Sequence, residues 1–445
     1  MPINIKSLIV VLFISTFVFL FLKKATVDVL PEKEFNRWRN TWIAITLIAF
    51  LSHNFWLFIV LTSTLLVYLA KSETNKLALY FVLFTAVPTI NLRIPGLFDI
   101  SYIRVLSLVL FLPFLFSYKS TAGTPALGKP FIEKMMLIFM LLSTLLSMRG
   151  TTFTDALRYG LYGALDYFLP YFAASRLIKD FDQLKKVMIA LVIGCMLAGC
   201  LGVFEWATGW LLYSSLPNAM GISWDMGGYL TRGDSLRAIS SLGHALVLGF
   251  YIMIGFSFYL FIGKYFKNKL IWLIGLGVLI VGLISPLSRG PWLGTVAAVF
   301  TFIAFGPKII KRFSLALIVL VMAIQSLYWV PSGQKVLNLL PFIGEVDKFN
   351  VEYRELLIEK SILVIQQYPF FGIFDAKLLP EMQELVQGQG FIDVTNTYIA
   401  IGLSMGFVGL SLFIGVFVTS LFSLRKSMKK ITNKKSDEHL CGTRG

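Results

Sequence analysis

Residues Ile271–Phe305 read IWLIGLGVLIVGLISPLSRGPWLGTVAAVFTFIAF. Two apolar runs, 270–287 and 291–306, close on the tripeptide Ser288-Arg289-Gly290. Each approaches the roughly 20 residues that a helix needs to cross a hydrocarbon core about 30 Å thick, so the stretch has the pattern of a membrane hairpin with a charge at its tip. Gly290 permits backbone conformations closed to other residues, and Pro291 suits the first turn of a new helix. That helix would open beside Arg289 with unsatisfied N–H groups and a positive dipole end. Together with a guanidinium fork, these make an anion site. A tight turn whose charge merely faces water has the same sequence, but an ionisable residue at a broken junction between spans marks a functional site by default.

Similar runs recur from one end of the chain to the other. Of 445 residues, 57% are hydrophobic and 14% charged, and the mean hydropathy is +0.76. Apolar runs fall near 7–22, 41–53, 55–70, 76–91, 102–117, 131–147, 155–174, 186–207, 241–262, 270–287, 291–306, 314–330 and 397–424. This predicts an all-α polytopic transmembrane bundle of about 12–13 spans and excludes a string of soluble domains. The second and third runs are short enough to form one broken hairpin. The first ends at Lys23-Lys24 without a small-residue cleavage site and reads as a retained span. The expected layout is a bundle over 1–330, a cap loop over 331–396, a final span over 397–424 and a solvated, disordered basic tail over 425–445.

The net charge of +16 would suit nucleic acid, but the basic residues are scattered through short loops rather than gathered in one domain. Their distribution sets topology instead. The gaps 23–40, 71–76, 118–130, 176–186, 263–269 and 307–312 and the tail from 425 hold 26 of the 40 Lys and Arg residues, and the positive-inside rule makes that face cytoplasmic. The opposite face carries 92–101, 148–154, 208–240, 288–290 and the long segment 331–396. Its cations are mostly arginine: Arg93, Arg149, Arg232, Arg237, Arg289 and Arg354. Arginine presents a planar fork of donors matched to phosphate and carboxylate, whereas lysine is a hydrated point charge.

The chain has no GxxxxGK[ST] loop, no HExxH and no CxxC, so the common soluble-enzyme signatures are missing. Three histidines, His53, His244 and His439, argue against a histidine metal cluster. Cys195 and Cys200 lie in a span and read as small apolar residues. In DSLRAISSLGHALVLGF, Arg237 and His244 are seven residues apart and would share a helix face, although an arginine at a membrane boundary can also simply snorkel. Glu205, at the outer end of its span, is a candidate for a sugar hydroxyl or for a base. Asp393, Thr395 and Asn396 precede the last span, where helix capping accounts for one of the three. Asp155 and Arg158 suit a structural pair. In EVDKFNVEYRELLIEKSILVIQQYPF, apolar residues at helical spacing predict a surface helix with Arg354 near its start, ended by Pro369 and Gly372.

Taken in order, RAISSLGHALVLGF, SRGPWLG, YRELLIEKSILVIQQYPFFGIF and TNTYIAIGLSMGFVGL resemble the motifs of the bacterial O-antigen ligase and polysaccharide polymerase family. They are similar to its Arg…Gly-His region, its Ser-Arg-Gly/Ala turn, its arginine-bearing cap helix ending in Pro-x-x-Gly, and its Asn-x-x-Leu…Gly-x-x-Gly helix. The resemblance extends over most of the chain and is most specific from Arg237 to Gly409. It implies a glycosyltransferase needing neither metal nor cofactor, multi-pass in the bacterial inner membrane, with a periplasmic active face. The implied donor is an undecaprenyl-diphosphate-linked glycan, the acceptor a glycan or lipid A-core, and the surroundings membrane lipids and other envelope polysaccharide assembly proteins. By position, Arg237 and Arg289, with Ser288, would hold the diphosphate and Arg354 would close over it.

Thr395 stands where ligases of the family have a histidine, which leaves Asp393, Glu205 or His244 to activate the acceptor. Relatives also continue with further membrane helix after the Gly-x-x-Gly span. The wording of SRGPWLG and VTNTYIAIGLSMGFVGL, with RNTWIAITLIAFLSHNFW near the start, is closer to exopolysaccharide polymerases than to lipid A-core ligases. A transporter of lipid-linked glycan or of an anion would also use an arginine-lined cavity. The halves of this sequence, however, lack the internal symmetry usual there. A non-catalytic scaffold leaves the outside arginines unexplained.

Overall fold

The computed structural model describes residues 2–442 apart from 74, 95–97, 120–124, 223–228, 233–234, 307, 330–347, 387–389 and 391. Its helices are α1 (Ile3–Thr26), α2 (Glu32–Leu51), α3 (Phe55–Ser72), α4 (Lys76–Leu83), α5 (Tyr102–Ser117), α6 (Phe131–Ser147), α7 (Phe153–Gly163), α8 (Leu169–Leu177), α9 (Phe181–Thr208), α10 (Leu216–Ala219), α11 (Ala245–Ile262), α12 (Lys269–Ile284), α13 (Arg289–Ala304), α14 (Ile309–Trp329), α15 (Lys348–Gln367), α16 (Pro380–Gln383) and α17 (Thr397–Gly442). Strands among the described residues form two short antiparallel pairs, β1 (Asn91–Arg93) with β2 (Asp99–Ser101) and β3 (Thr231–Arg232) with β4 (Ser235–Leu236). The described residues are mostly helical, an all-α polytopic architecture, as the apolar periodicity predicts. Among the described residues, Ile3–Thr26, Phe181–Thr208, Ala245–Tyr265 and Thr397–Met428 are long and apolar enough to cross a membrane, and α3, α5 and α12 are shorter apolar helices.

The chain divides into two compact units, 1–116 with 170–346 and 117–169 with 347–445. The first is built round α9, whose residues from Val187 to Gly199 are all buried. Between lipid-immersed helices there is little hydrophobic drive, so small residues that let backbones approach carry the packing. Here a Cβ on Gly282 of α12 would lie 3.1 Å from the Cα of Gly199, and one on Gly255 of α11 would collide with Cys195. Cys195 thus acts as the small buried residue expected of it, its thiol donating to the carbonyl of Tyr251 at 3.1 Å.

Several boundaries differ from the sequence expectation for local reasons. The run 76–91 is a helix only to Leu83, and Pro88 further on keeps Val87 from resuming it. The runs 41–53 and 55–70 are two helices parted at His53, which has φ +46. Asn54 caps the second, accepting from Trp56 and Leu57 N–H at 2.9 and 3.1 Å. Beyond 424, where a disordered tail was expected, α17 continues to Gly442. The sequence from Val416 to Cys441 has no glycine or proline to stop it.

The second unit contains α6, α7, a π-helical turn at Ala164–Phe168, and α15 to α17. The expected surface helix forms as α15. Its Tyr353, Leu357 and Val364 lie on one stripe and pack with Met382, Leu385, Ile392 and Leu403. Asp155 and Arg158 pair at i, i+3 as predicted. α17 is broken at Gly406, with φ 61 and ψ −162, and the turn Pro369–Gly372 is bonded into the break. Phe407 and Val408 N–H donate to the carbonyls of Pro369 and Phe370 at 2.7 and 3.2 Å, and Ile373 N–H donates to that of Leu403 at 2.7 Å. Arg149 completes the joint, its Nη1 donating to Gly372 O at 2.8 Å and its Nη2 to the carbonyls of Phe371 and Ser404 at 3.0 Å. This arginine serves backbone carbonyls and so has a structural role.

Candidate functional site

The opening hairpin is present. α12 ends at Ile284, Ser288 takes the N-cap position of α13, and Arg289 is the first helical residue. The sharp turn is made differently from the sequence expectation: Leu287, not Gly290, is left-handed, with φ +49. Gly290 sits in the first turn of α13, where a Cβ would meet only Phe250 at 3.7 Å. Trp292 Nε1 donates to Leu283 O at 2.8 Å and so ties the start of α13 to the end of α12. Beside it, a Cβ on Gly249 of α11 would lie 2.6 Å from Pro291 Cγ. The second turn of α11 therefore abuts the first turn of α13.

Two arginines from the preceding segment grip this turn. Arg237 Nε donates to Pro286 O at 3.1 Å and its Nη2 to Ser288 Oγ at 2.8 Å. Arg232 Nη1 donates to Leu287 O at 2.8 Å. Arg237 is partly buried, which pulls its pKa below the usual value, though a guanidinium stays charged. Nη1 of Arg237 has no partner among the described residues. Arg289 follows Ser288 directly and is half-buried. Arg232 was visible in the sequence as an outside arginine but carried no motif of its own.

Glu205 lies at the floor of the site, fully buried. Its Oε2 accepts from Ile239 and Ser240 N–H at 3.0 and 2.7 Å, and its Oε1 from Leu212 N–H at 3.0 Å. Ser240 is itself left-handed, with φ +50, a conformation that costs a non-glycine residue of order 1–3 kcal/mol and persists only where surroundings impose it. Glu205 imposes it here. With its oxygens accepting from three N–H donors, Glu205 holds the Arg237 segment in place. Glu205→Gln replaces one acceptor oxygen by a donor facing an N–H, so a loss of about 2–3 kcal/mol in stability is expected. Thermal unfolding in detergent checks it; an unchanged midpoint would remove this role.

His244 does not share a helix face with Arg237. A 3-10 turn at Ser240–Leu242 and Gly243, left-handed at φ +74, separate them. His244 instead caps α11, its Nδ1 accepting from Leu246 N–H at 3.2 Å, so a neutral ring carries its proton on Nε2.

The remaining candidates belong to the second unit. Arg354, Asp393, Thr395 and Asn396 are all exposed. Asn396 caps α17, accepting from Tyr398 and Ile399 N–H at 2.9 and 3.4 Å. The Asp393 backbone is pinned by Tyr353, whose hydroxyl donates to its carbonyl at 3.0 Å and accepts from its N–H at 3.1 Å. A cavity of about 440 Å³ in this unit is lined by Ser143, Thr144, Tyr159, Tyr162, Asp166 and Phe374, among others. Asp166 lies in the π-helical turn, and the hydroxyls and rings offer edges and faces suited to sugar. Asp166 stands inside the apolar run 155–174.

Neither a curated protein nor a solved structure matches the chain. Residues 274–414 match the family model described as O-antigen ligase, a stretch that holds Ser288, Arg289, Arg354 and Asn396 but leaves Glu205, Arg237 and His244 ahead of it. Members of that family are glycosyl-transferring enzymes of the ligase and polymerase type. Residues 274–414, which hold the hairpin turn at Ser288–Gly290, are thus similar to the O-antigen ligase family.

Proposed function

We propose that this protein is a polysaccharide polymerase of the bacterial inner membrane, working without metal or cofactor at the periplasmic face. It transfers a growing glycan from undecaprenyl diphosphate to a hydroxyl of another lipid-linked repeat unit. The acceptor oxygen attacks the anomeric carbon, the bond from that carbon to the diphosphate oxygen breaks, and the diphosphate leaves with the electron pair. The hydroxyl proton passes to a base. Charge builds on the leaving group, so preorganised cations aimed at it lower the barrier most.

The observation that carries this proposal is the fixed guanidinium of Arg237, held by Pro286 O and Ser288 Oγ against the N-terminus of α13. A donor fork immobilised before substrate arrives needs no reorganisation in the transition state. Arg237, Ser288 and Arg289 hold the diphosphate in this assignment, and Glu205 positions Arg237. Of the candidate bases, His244 has its Nδ1 occupied by a cap and Glu205 has its oxygens occupied by N–H donors. Asp393, an exposed carboxylate on the second unit, is the third candidate. Asn396 is assigned to capping.

The polymerase assignment over ligase rests on the sequence wording around SRGPWLG. Purified full-length protein in lipid nanodiscs, given lipid-linked repeat units alone, is expected to extend them. Products formed only when lipid A-core is added would make the protein a ligase. Translocation of lipid-linked glycan without any transfer would make it a transporter.

A further inference from the structure

We propose that the opposite end of α11–α14 holds a specific site for an anionic phospholipid headgroup. A cavity of about 680 Å³ opens there among the end of α11, the start of α12, the end of α13 and the start of α14. Three cations line it: Lys264 from the 3-10 turn after α11, Lys269 at the first residue of α12, and Arg312 in the first turn of α14. No carboxylate is among the described residues that line it. Elsewhere on this end, lysines do find acids: Lys267 pairs with Asp28 at 2.6 Å and Lys186 with Glu34 at 2.7 Å. Lys264, Lys269 and Arg312 have no acidic partner among the described residues.

The cavity wall adds a second observation. Trp272 Nε1 is buried in it without an acceptor among the described residues, and an indole N–H is a donor only. Lys264 lies over the Phe261 and Tyr265 rings at 4.9 Å. Phe305, at the rim, is 73% exposed. Convergent cations with an unsatisfied donor ask for an anion rich in acceptor oxygens, and the phosphodiester of a phospholipid supplies one. Exposed apolar rings beside the cations suit the acyl chains that such a headgroup brings and a soluble phosphate lacks. Basic pockets between spanning helices on the lysine-rich face recognise lipid headgroups in this way. These residues fall in the gaps that the positive-inside rule makes cytoplasmic, far along the helices from the Arg237 turn.

Full-length protein in phosphatidylcholine nanodiscs doped with phosphatidylglycerol provides the test, with bound lipid counted by native mass spectrometry after extraction. The combined Lys264→Gln, Lys269→Gln and Arg312→Gln protein is expected to retain at least about tenfold less phosphatidylglycerol than wild type, with phosphatidylcholine unchanged. The charge-matched control Lys267→Gln, Lys308→Gln, Lys311→Gln is expected to retain it. Should the triple variant fail to fold, Arg312→Gln alone is expected to show a several-fold loss. Equal retention by wild type and the lining variants, or equal loss in the control, overturns the site. Displacement of phosphatidylglycerol by inorganic phosphate alone overturns the lipid assignment in favour of a soluble anion.

Discussion

Arg289→Lys is expected to lower polymer formation by about 10²–10³-fold, the usual cost of losing one preorganised stabiliser of transition-state charge, while protein level and thermal midpoint in detergent stay at the wild-type values. The substitution keeps the positive charge and most of the stem. What it removes is the planar fork, which can bond two phosphate oxygens at once, and lysine replaces this with a single hydrated point. The exchange keeps a long cationic side chain at a half-buried position, and a Cβ on the next residue, Gly290, would be in van der Waals range only of Phe250. Arg237→Lys is a poorer test of chemistry, because Arg237 also holds the turn through Pro286 O and Ser288 Oγ. Its loss would lower stability and rate together. Chain length and yield retained in Arg289→Lys would count decisively against a diphosphate at this turn.

The contrast between those two arginines shows what the sequence could convey. The hairpin at Ser288 was legible because apolar run length, proline and charge are all local signals, and the capping of α17 by Asn396 was one of the local options open there. The surface helix was legible from its stripe, and Tyr353, Leu357 and Val364 pack as that stripe requires. Partners distant in the chain were not legible. Nothing near Glu205 announces that its carboxylate will meet Ser240, 35 residues on, and a buried acid at a span end looks the same whether it binds backbone or sugar. Spacing alone suggested a shared face for Arg237 and His244, and the left-handed Ser240 and Gly243 undid it. Arg149, selected on charge as one cation among six, binds carbonyls more than 200 residues away.

The Pro-x-x-Gly and Gly-x-x-Gly motifs are the fullest case of such a hidden partnership, and Gly406→Ala should expose it. Gly406 lies about 14 Å into its span at 1.5 Å per residue, where an unpaired backbone group has no water to turn to and costs several kcal/mol. The break leaves N–H groups on one half-helix and carbonyls on the other, and the Pro369–Gly372 turn and Arg149 satisfy both sets. Position 406 has φ 61 and ψ −162, a region open essentially to glycine alone. A Cβ there would run into the Phe370 backbone, which cannot yield without breaking the same hydrogen bonds. Gly406→Ala is therefore expected to cost more than about 4 kcal/mol, enough to prevent stable folding. Gly402→Ala, four residues earlier on the same helix, should cost less than about 1 kcal/mol, because its Cβ would meet only the flexible end of Ile365 and alanine favours helix. Detergent-solubilised yield and thermal midpoint, measured side by side, separate the two. A Gly406→Ala protein that melts with wild type would mean that the helix closes across the break, and that the two motifs are joined by something other than their backbones.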